Sequence, residues 1–229
     1  VNFLWSNLGL VWNLTVSHVW LSAIPIVVGF AVSLPIGWVA NRYSVSRPVL
    51  LTIGGILYTI PSLPLFFAMP ALIGTKILDP ANVVVALSIY AVALLVRTTT
   101  DALASVPGDV VQSATAIGYS GWRRFWAVEL PLAGPVLLAG LRVVSVSTVS
   151  LVSVGALLGV PNLGQLFTDG LNRYYPEEVA VGIVLIMIVA LVFDLILVLL
   201  GRLLLPWSRL DKRTGRLRRS AAMKAVTGG

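Results

Sequence analysis

Five stretches of this chain are apolar over lengths approaching or exceeding what a helix needs to cross a lipid bilayer, and this constrains the fold more than anything else in it. A hydrocarbon core of about 30 Å takes about twenty apolar residues in helical form, and lipid offers the backbone no hydrogen-bond partners, so each segment must satisfy its own. The candidate spans are 21–40, 49–67, 82–96, 135–158 and 179–205. The expected fold class is all-α, a polytopic membrane protein with about five transmembrane helices. Of 229 residues, 58% are hydrophobic and only 11% charged, too few charges for a water-facing surface. Span 82–96 is short, and span 135–158 carries Arg142 together with Ser145, Ser147, Thr148, Ser150 and Ser153. Both are expected to face protein or a pathway rather than lipid.

The formal charge is +7, but the basic residues crowd at and beyond the end of the last span, at Arg202, Arg209, Lys212, Arg213, Arg216, Arg218, Arg219 and Lys224. Residues 206–229 therefore read as a basic cytoplasmic tail against anionic membrane lipid, and nucleic acid is not an expected partner. Placing the amino terminus outside puts Arg42, Arg47, Arg97, Arg123, Arg124 and the tail inside, and leaves only Lys76 and Arg173 facing out. An odd number of spans agrees with a cytoplasmic carboxyl end. Nothing before Leu21 is Lys or Arg, so the start reads as mature membrane protein rather than a secretory signal. Trp5, Trp12 and Trp20 group near the outer boundary, and Trp38, Trp122, Trp126 and Trp207 near the inner one. Residues 1–19 are accordingly expected to form an outer interfacial segment ahead of a membrane domain at 20–205.

Prolines interrupt the first two spans, at Pro25 and Pro35 and then at Pro61 and Pro64. Each removes a helix donor and favours a kink. Pro61 and Ser62 are candidates for a moving pathway as well as for plain helix bending. Arg142 and Asp194 both lie inside spans, at depths of about 10 and 16 Å from the same side. A charge at such depth needs a partner or water. A structural pair, a gating role, and snorkelling or protein-buried hydrogen bonding are the readings left open.

The stretch 101–131, between the third and fourth spans, is too long for a simple connection. Pro107 and Gly108 break the chain, Asp109 suits an N-cap with Gln112 three residues on, and a short helix is expected over 110–117. Gly118 suits a left-handed stop, Ser120 a second cap, and a second helix over 121–130 is closed by Pro131. The first helix is small and nearly uncharged around Ser113 and Ala114, so another protein could approach it closely. A docking element and an amphipathic hairpin lying on the membrane are both consistent with this pattern.

The residues Gln112, Ser113 and Ala114, then Gly118, then Val128, Glu129, Leu130 and Pro131 resemble the cytoplasmic EAA loop of ATP-binding-cassette (ABC) importer permeases in both type and spacing. The stretches Tyr58, Thr59, Ile60, Pro61, Ser62 and Ala139, Gly140, Leu141, Arg142 are similar to the branch importing glycine betaine, choline, carnitine or proline. The likeness covers roughly residues 15–205. It implies a type I importer permease fold in which the loop, through Gln112, Ser113, Ala114, Gly118, Leu130 and Pro131, is a coupling helix seated on a cytosolic ATPase. It also implies a second permease subunit, an extracytoplasmic solute-binding protein, and ATP and Mg held by the ATPase, with no cofactor in this chain. Gln112 and Ser113 stand where the family has Glu and Ala, and Ala116 where this branch often has Gly. No G-x-x-x-x-G-K-[ST] sequence occurs, and no paired carboxylates suggest hydrolysis, so a transport subunit rather than an enzyme is expected. The alternatives are an amino-acid importer of the methionine type, a channel or carrier outside this class, and a plain membrane anchor.

Overall fold

The computed structural model describes residues 2–207, and among them all regular structure is helical. A short α1 (Asn2–Ser6) leads into α2 (Leu8–Arg42), then α3 (Ser46–Thr59) and α4 (Ser62–Ile73). The long α5 (Pro80–Ala104) is followed by α6 (Gly108–Ala116), α7 (Gly121–Arg124), a π-turn at Phe125–Glu129 and α8 (Leu130–Val152). A 3-10 turn at Ser153–Leu158 continues α8, and α9 (Gln165–Asn172) and α10 (Pro176–Leu204) complete the described chain. Four helical paths are long and apolar enough to cross a membrane, and α3 with α4 is a fifth candidate by length and composition, bent by 101° at the break between them.

The helix α5 is the axis around which α2, α3, α4 and α8 pack. Its contact with α2 is close because small residues face each other: a Cβ on Gly29 would lie 2.4 Å from the Cβ of Ala91. Phe66, Met69, Leu87 and Tyr90 form part of one buried cluster, and Val11, Leu14, Leu163, Leu166 and Ile186 part of another. The end carrying Arg42, Arg47 and the 101–131 segment is called the basic end below.

Several expected boundaries shift. Residues 8–19 are continuous with the first span as the first turns of α2, with Val11, Leu14 and His18 buried against the rest of the chain. The helix also runs unbroken through Pro25 and Pro35, because packing along α5 holds it where two donors are missing. The third span is longer than 82–96: Asp79 caps it by accepting from Ala81 N at 2.9 Å, Pro80 occupies its first turn, and it continues to Ala104. Pro131 does not close a helix. A π-turn directly ahead of it, in which Leu130 N donates to Phe125 O, accommodates the lost donor, so one helical path runs from Gly121 to Leu158. The tail from Arg209 onward lies outside the described residues.

Candidate functional site

At the basic end, α6 and α7 form an elbow whose geometry follows from two residues. Pro107 takes the extended conformation of an N-cap, and its carbonyl accepts from Val110 N and Val111 N, so α6 starts at Gly108 and not after Asp109. Asp109 falls in the first turn and makes no capping bond, which leaves its charge to complement the helix dipole. At the other end Gly118 has φ +90°, Gly118 N donates to Thr115 O at 3.0 Å, and Tyr119 N to Ala114 O at 3.1 Å. This pair of bonds is a Schellman stop, which needs a residue free of a Cβ at the left-handed position. Ser120 then caps the next helix through Arg123 N at 3.4 Å.

The elbow sorts the loop candidates. Gln112, Ser113 and Gly118 are exposed, as are Ala116 and Ile117, whereas Ala114 is turned inward and 6% exposed. The open face of α6 is thus Gln112, Ser113, Ala116 and Ile117, and Ala114 is not available for close approach. Leu130 and Pro131 lie apart from this face, in an apolar groove of about 550 Å³ between α2, α8 and α10.

What joins α6 to the spans is a contact that residue spacing does not suggest. Arg124 Nε donates to Glu129 Oε1 at 2.5 Å, and Arg124 Nη1 donates to Thr115 Oγ1 at 2.7 Å. Both charged side chains are largely covered, 12% and 6% exposed. In a regular α-helix, positions five apart point in widely different directions; the π-turn underwinds the path and brings them together. Trp38, Trp122, Phe125 and Trp126 pack in edge-to-face and tilted contacts around this root, with Trp38 and Trp122 centroids 6.0 Å apart.

Deeper in the bundle Arg142 and Asp194 form a two-pronged ion pair between α8 and α10, Nε to Oδ1 at 2.6 Å and Nη2 to Oδ2 at 2.8 Å. Of the readings left open by the sequence, the pair is the one formed. Pro61 and Ser62 occupy the α3–α4 break, where Ile60 and Pro61 are both extended. Proline biases the residue before it away from the helical region, and it has no donor to bridge the gap. The free carbonyl of Ile60 is met by the Tyr90 hydroxyl, which donates to it. Tyr58, 48% exposed, stands edge-on to Tyr90 at 5.9 Å.

At the opposite end the segment between α8 and α10 folds into α9. Arg173 Nη2 donates to the fully buried Glu178 at 2.7 Å, while Tyr174 is 93% exposed. Among the described residues no group of His, Cys, Asp or Glu is arranged to hold a metal ion.

Residues 29–209 match the family described as binding-protein-dependent transport system inner membrane component. The chain is 31% identical over 207 residues to the glycine betaine/carnitine/choline transport system permease protein OpuCB of Bacillus subtilis (strain 168), covering 90% of this chain and 94% of that one. It is 33% identical to the choline transport system permease protein OpuBB of the same organism, with the same coverage. To the osmoprotectant import permease protein OsmW of Salmonella typhimurium it is 30% identical over 210 residues, 90% of this chain and 97% of that one. Among solved structures, an inward-facing form of the MetNI methionine ABC transporter superposes with a TM-score of 0.70 at 19% identity, covering 84% of this chain and 96% of that one. An amino acid ABC transporter with histidines superposes at 0.71 and 17%, covering 86% and 95%. At these identities the two structures establish a shared fold.

Proposed function

The chain belongs to the family of binding-protein-dependent transport system inner membrane components, and from this premise we propose that it is the permease subunit of an ATP-driven importer of quaternary-ammonium compatible solutes. Relatives of matching length carry glycine betaine, carnitine or choline in their names. The basic end faces the cytoplasm, as the excess of Arg there favours. A second permease subunit completes the pathway, a binding protein delivers solute at the α9 side, and a cytosolic ATPase holding ATP and Mg seats α6.

The observation that carries this reading is the α6 elbow, a rigid, nearly uncharged helix with Gln112, Ser113, Ala116 and Ile117 outward and a root locked into a membrane span. A surface of this kind receives a partner without a large cost of desolvating charge. Gln112 in place of an acid offers hydrogen bonds but no ion pair. Movement of the ATPase displaces α6, Arg124 passes the displacement to Glu129 at the head of α8, and α8 shifts against α5 and α10. The helix break at Pro61 supplies the place where the pathway yields.

The test is ATP hydrolysis by the complex reconstituted with its ATPase and binding protein, measured over glycine betaine, choline, carnitine, proline and methionine. Stimulation by one or more of the quaternary ammonium solutes, and not by methionine, is the expected result. Stimulation by methionine alone would replace this reading with the amino-acid importer.

A further inference from the structure

We infer that the face of α5 bearing Tyr90 and Arg97, beside the α3–α4 break, is a transient solute site within the permease, suited to a solute that carries a quaternary ammonium and a carboxylate together. The inference rests on the permease reading above and adds the solute class that the pathway itself favours.

Arg97 is exposed and has no hydrogen-bond or ion-pair partner among the described residues. It lies seven residues inside the end of α5, about 10 Å along the axis. An unpaired guanidinium there is costly unless water or an anion meets it. The cation within α8, Arg142, is already neutralised by Asp194. Asp101, one turn beyond Arg97, is held by Arg47 at 3.2 Å.

The register of α5 shows what this cation faces. The helix meets α2 through Ala91 and Thr99, α8 through Thr98, and α3 through Ala93. Arg97 falls between the α3-facing and α8-facing positions, on the same side as Tyr90 two turns away. Cα–Cβ bonds tilt toward a helix's amino end, so Arg97 leaves the backbone toward Tyr90 and the break.

At the break the chemistry is of opposite sign. The exposed ring of Tyr58 offers a π-face, and α3 ends at Thr59 with its carbonyl groups and the negative end of its dipole there. Half-helix carboxyl ends of this kind favour cations in transport proteins. A quaternary ammonium is thus accommodated at Tyr58 and a carboxylate at Arg97. Glycine betaine and carnitine possess both groups; choline has only the first and meets the guanidinium with a like charge.

The test is ATP-driven uptake of radiolabelled glycine betaine and choline by the complete importer in liposomes, for the wild type, Arg97→Gln, Arg97→Lys and Tyr58→Leu. Arg97→Gln should lower the maximal rate for glycine betaine about tenfold, the worth of one hydrogen bond to a charged group. It should leave the half-saturating concentration, set at delivery, unchanged, and should keep or raise the choline rate, since the like charge is removed. Arg97→Lys should retain most of the rate, and Tyr58→Leu should slow both solutes. Where choline is not carried at all, the contrast between Arg97→Lys and Arg97→Gln serves alone. Equal losses for both solutes that follow folded yield would make Arg97 a membrane anchor and overturn the inference. A wild type carrying choline but not glycine betaine would overturn it too. If the wild type carries neither, the solute reading itself fails; a wild-type glycine betaine rate in Arg97→Gln defeats the inference alone.

Discussion

Arg124 holds Glu129 and Thr115 at once, and so ties the short helix α6 to the head of a membrane span. Neutralising it strands a carboxylate that is 6% exposed, at a local cost of about 3 kcal/mol. Arg124→Gln and Glu129→Gln should both leave the ATPase bound and hydrolysing while solute carried per ATP falls, with Thr115→Val milder. A wild-type transport-to-hydrolysis ratio in Arg124→Gln would remove this residue from the coupling route. The contact was not legible in the sequence because five-residue spacing is read as non-adjacent in a regular helix, and nothing in Phe125–Glu129 signals the π-turn. Gly118 was legible, since a glycine between two short helical patterns has few other uses. Ala114 was read correctly as small but on the wrong side of its helix, because α6 has too few large apolar residues to declare a buried face.

Helices were foreseen well where apolar length alone decides, and less well where prolines compete with packing. Pro25 and Pro35 left α2 unbroken, whereas Pro61, on a span with far less buried surface, coincides with the sharp break. That residues 8–19 continue directly into α2 and pack on the chain is not visible in their own composition, because the burial of Val11 and Leu14 depends on Leu163, Leu166 and Ile186, far along the chain. The Arg142–Asp194 contact could be anticipated from depth but not chosen among its rivals, as depth fixes height along the bundle and not rotation about a helix. The two-pronged geometry gives that choice a functional consequence. Asp194→Asn or Arg142→Gln alone should lower the folded yield in detergent, and the double variant should recover much of the loss, because neither then leaves a lone charge in a span. Losses that simply add would show that the two residues act independently.

At the scale of the whole molecule, α2, α3, α4 and α8 pack around α5, and the elbow of α6 and α7 is built outside them at the basic end. The claim that this elbow is the seat of an ATPase is carried by Gly118, whose φ of +90° excludes a β-branched residue, while nothing lies within 4 Å of where its Cβ would stand. A valine there is penalised through the backbone, by about 1–3 kcal/mol, and not by collision with the spans. Asparagine tolerates the left-handed region and serves as the control. The most direct measurement is recovery of the ATPase with the purified permease, alongside uptake, for the wild type, Gly118→Asn and Gly118→Val. The account predicts that Gly118→Val reaches the membrane in near-normal amount yet loses both ATPase association and uptake, with Gly118→Asn close to wild type. Full ATPase recovery and full uptake in Gly118→Val would contradict it.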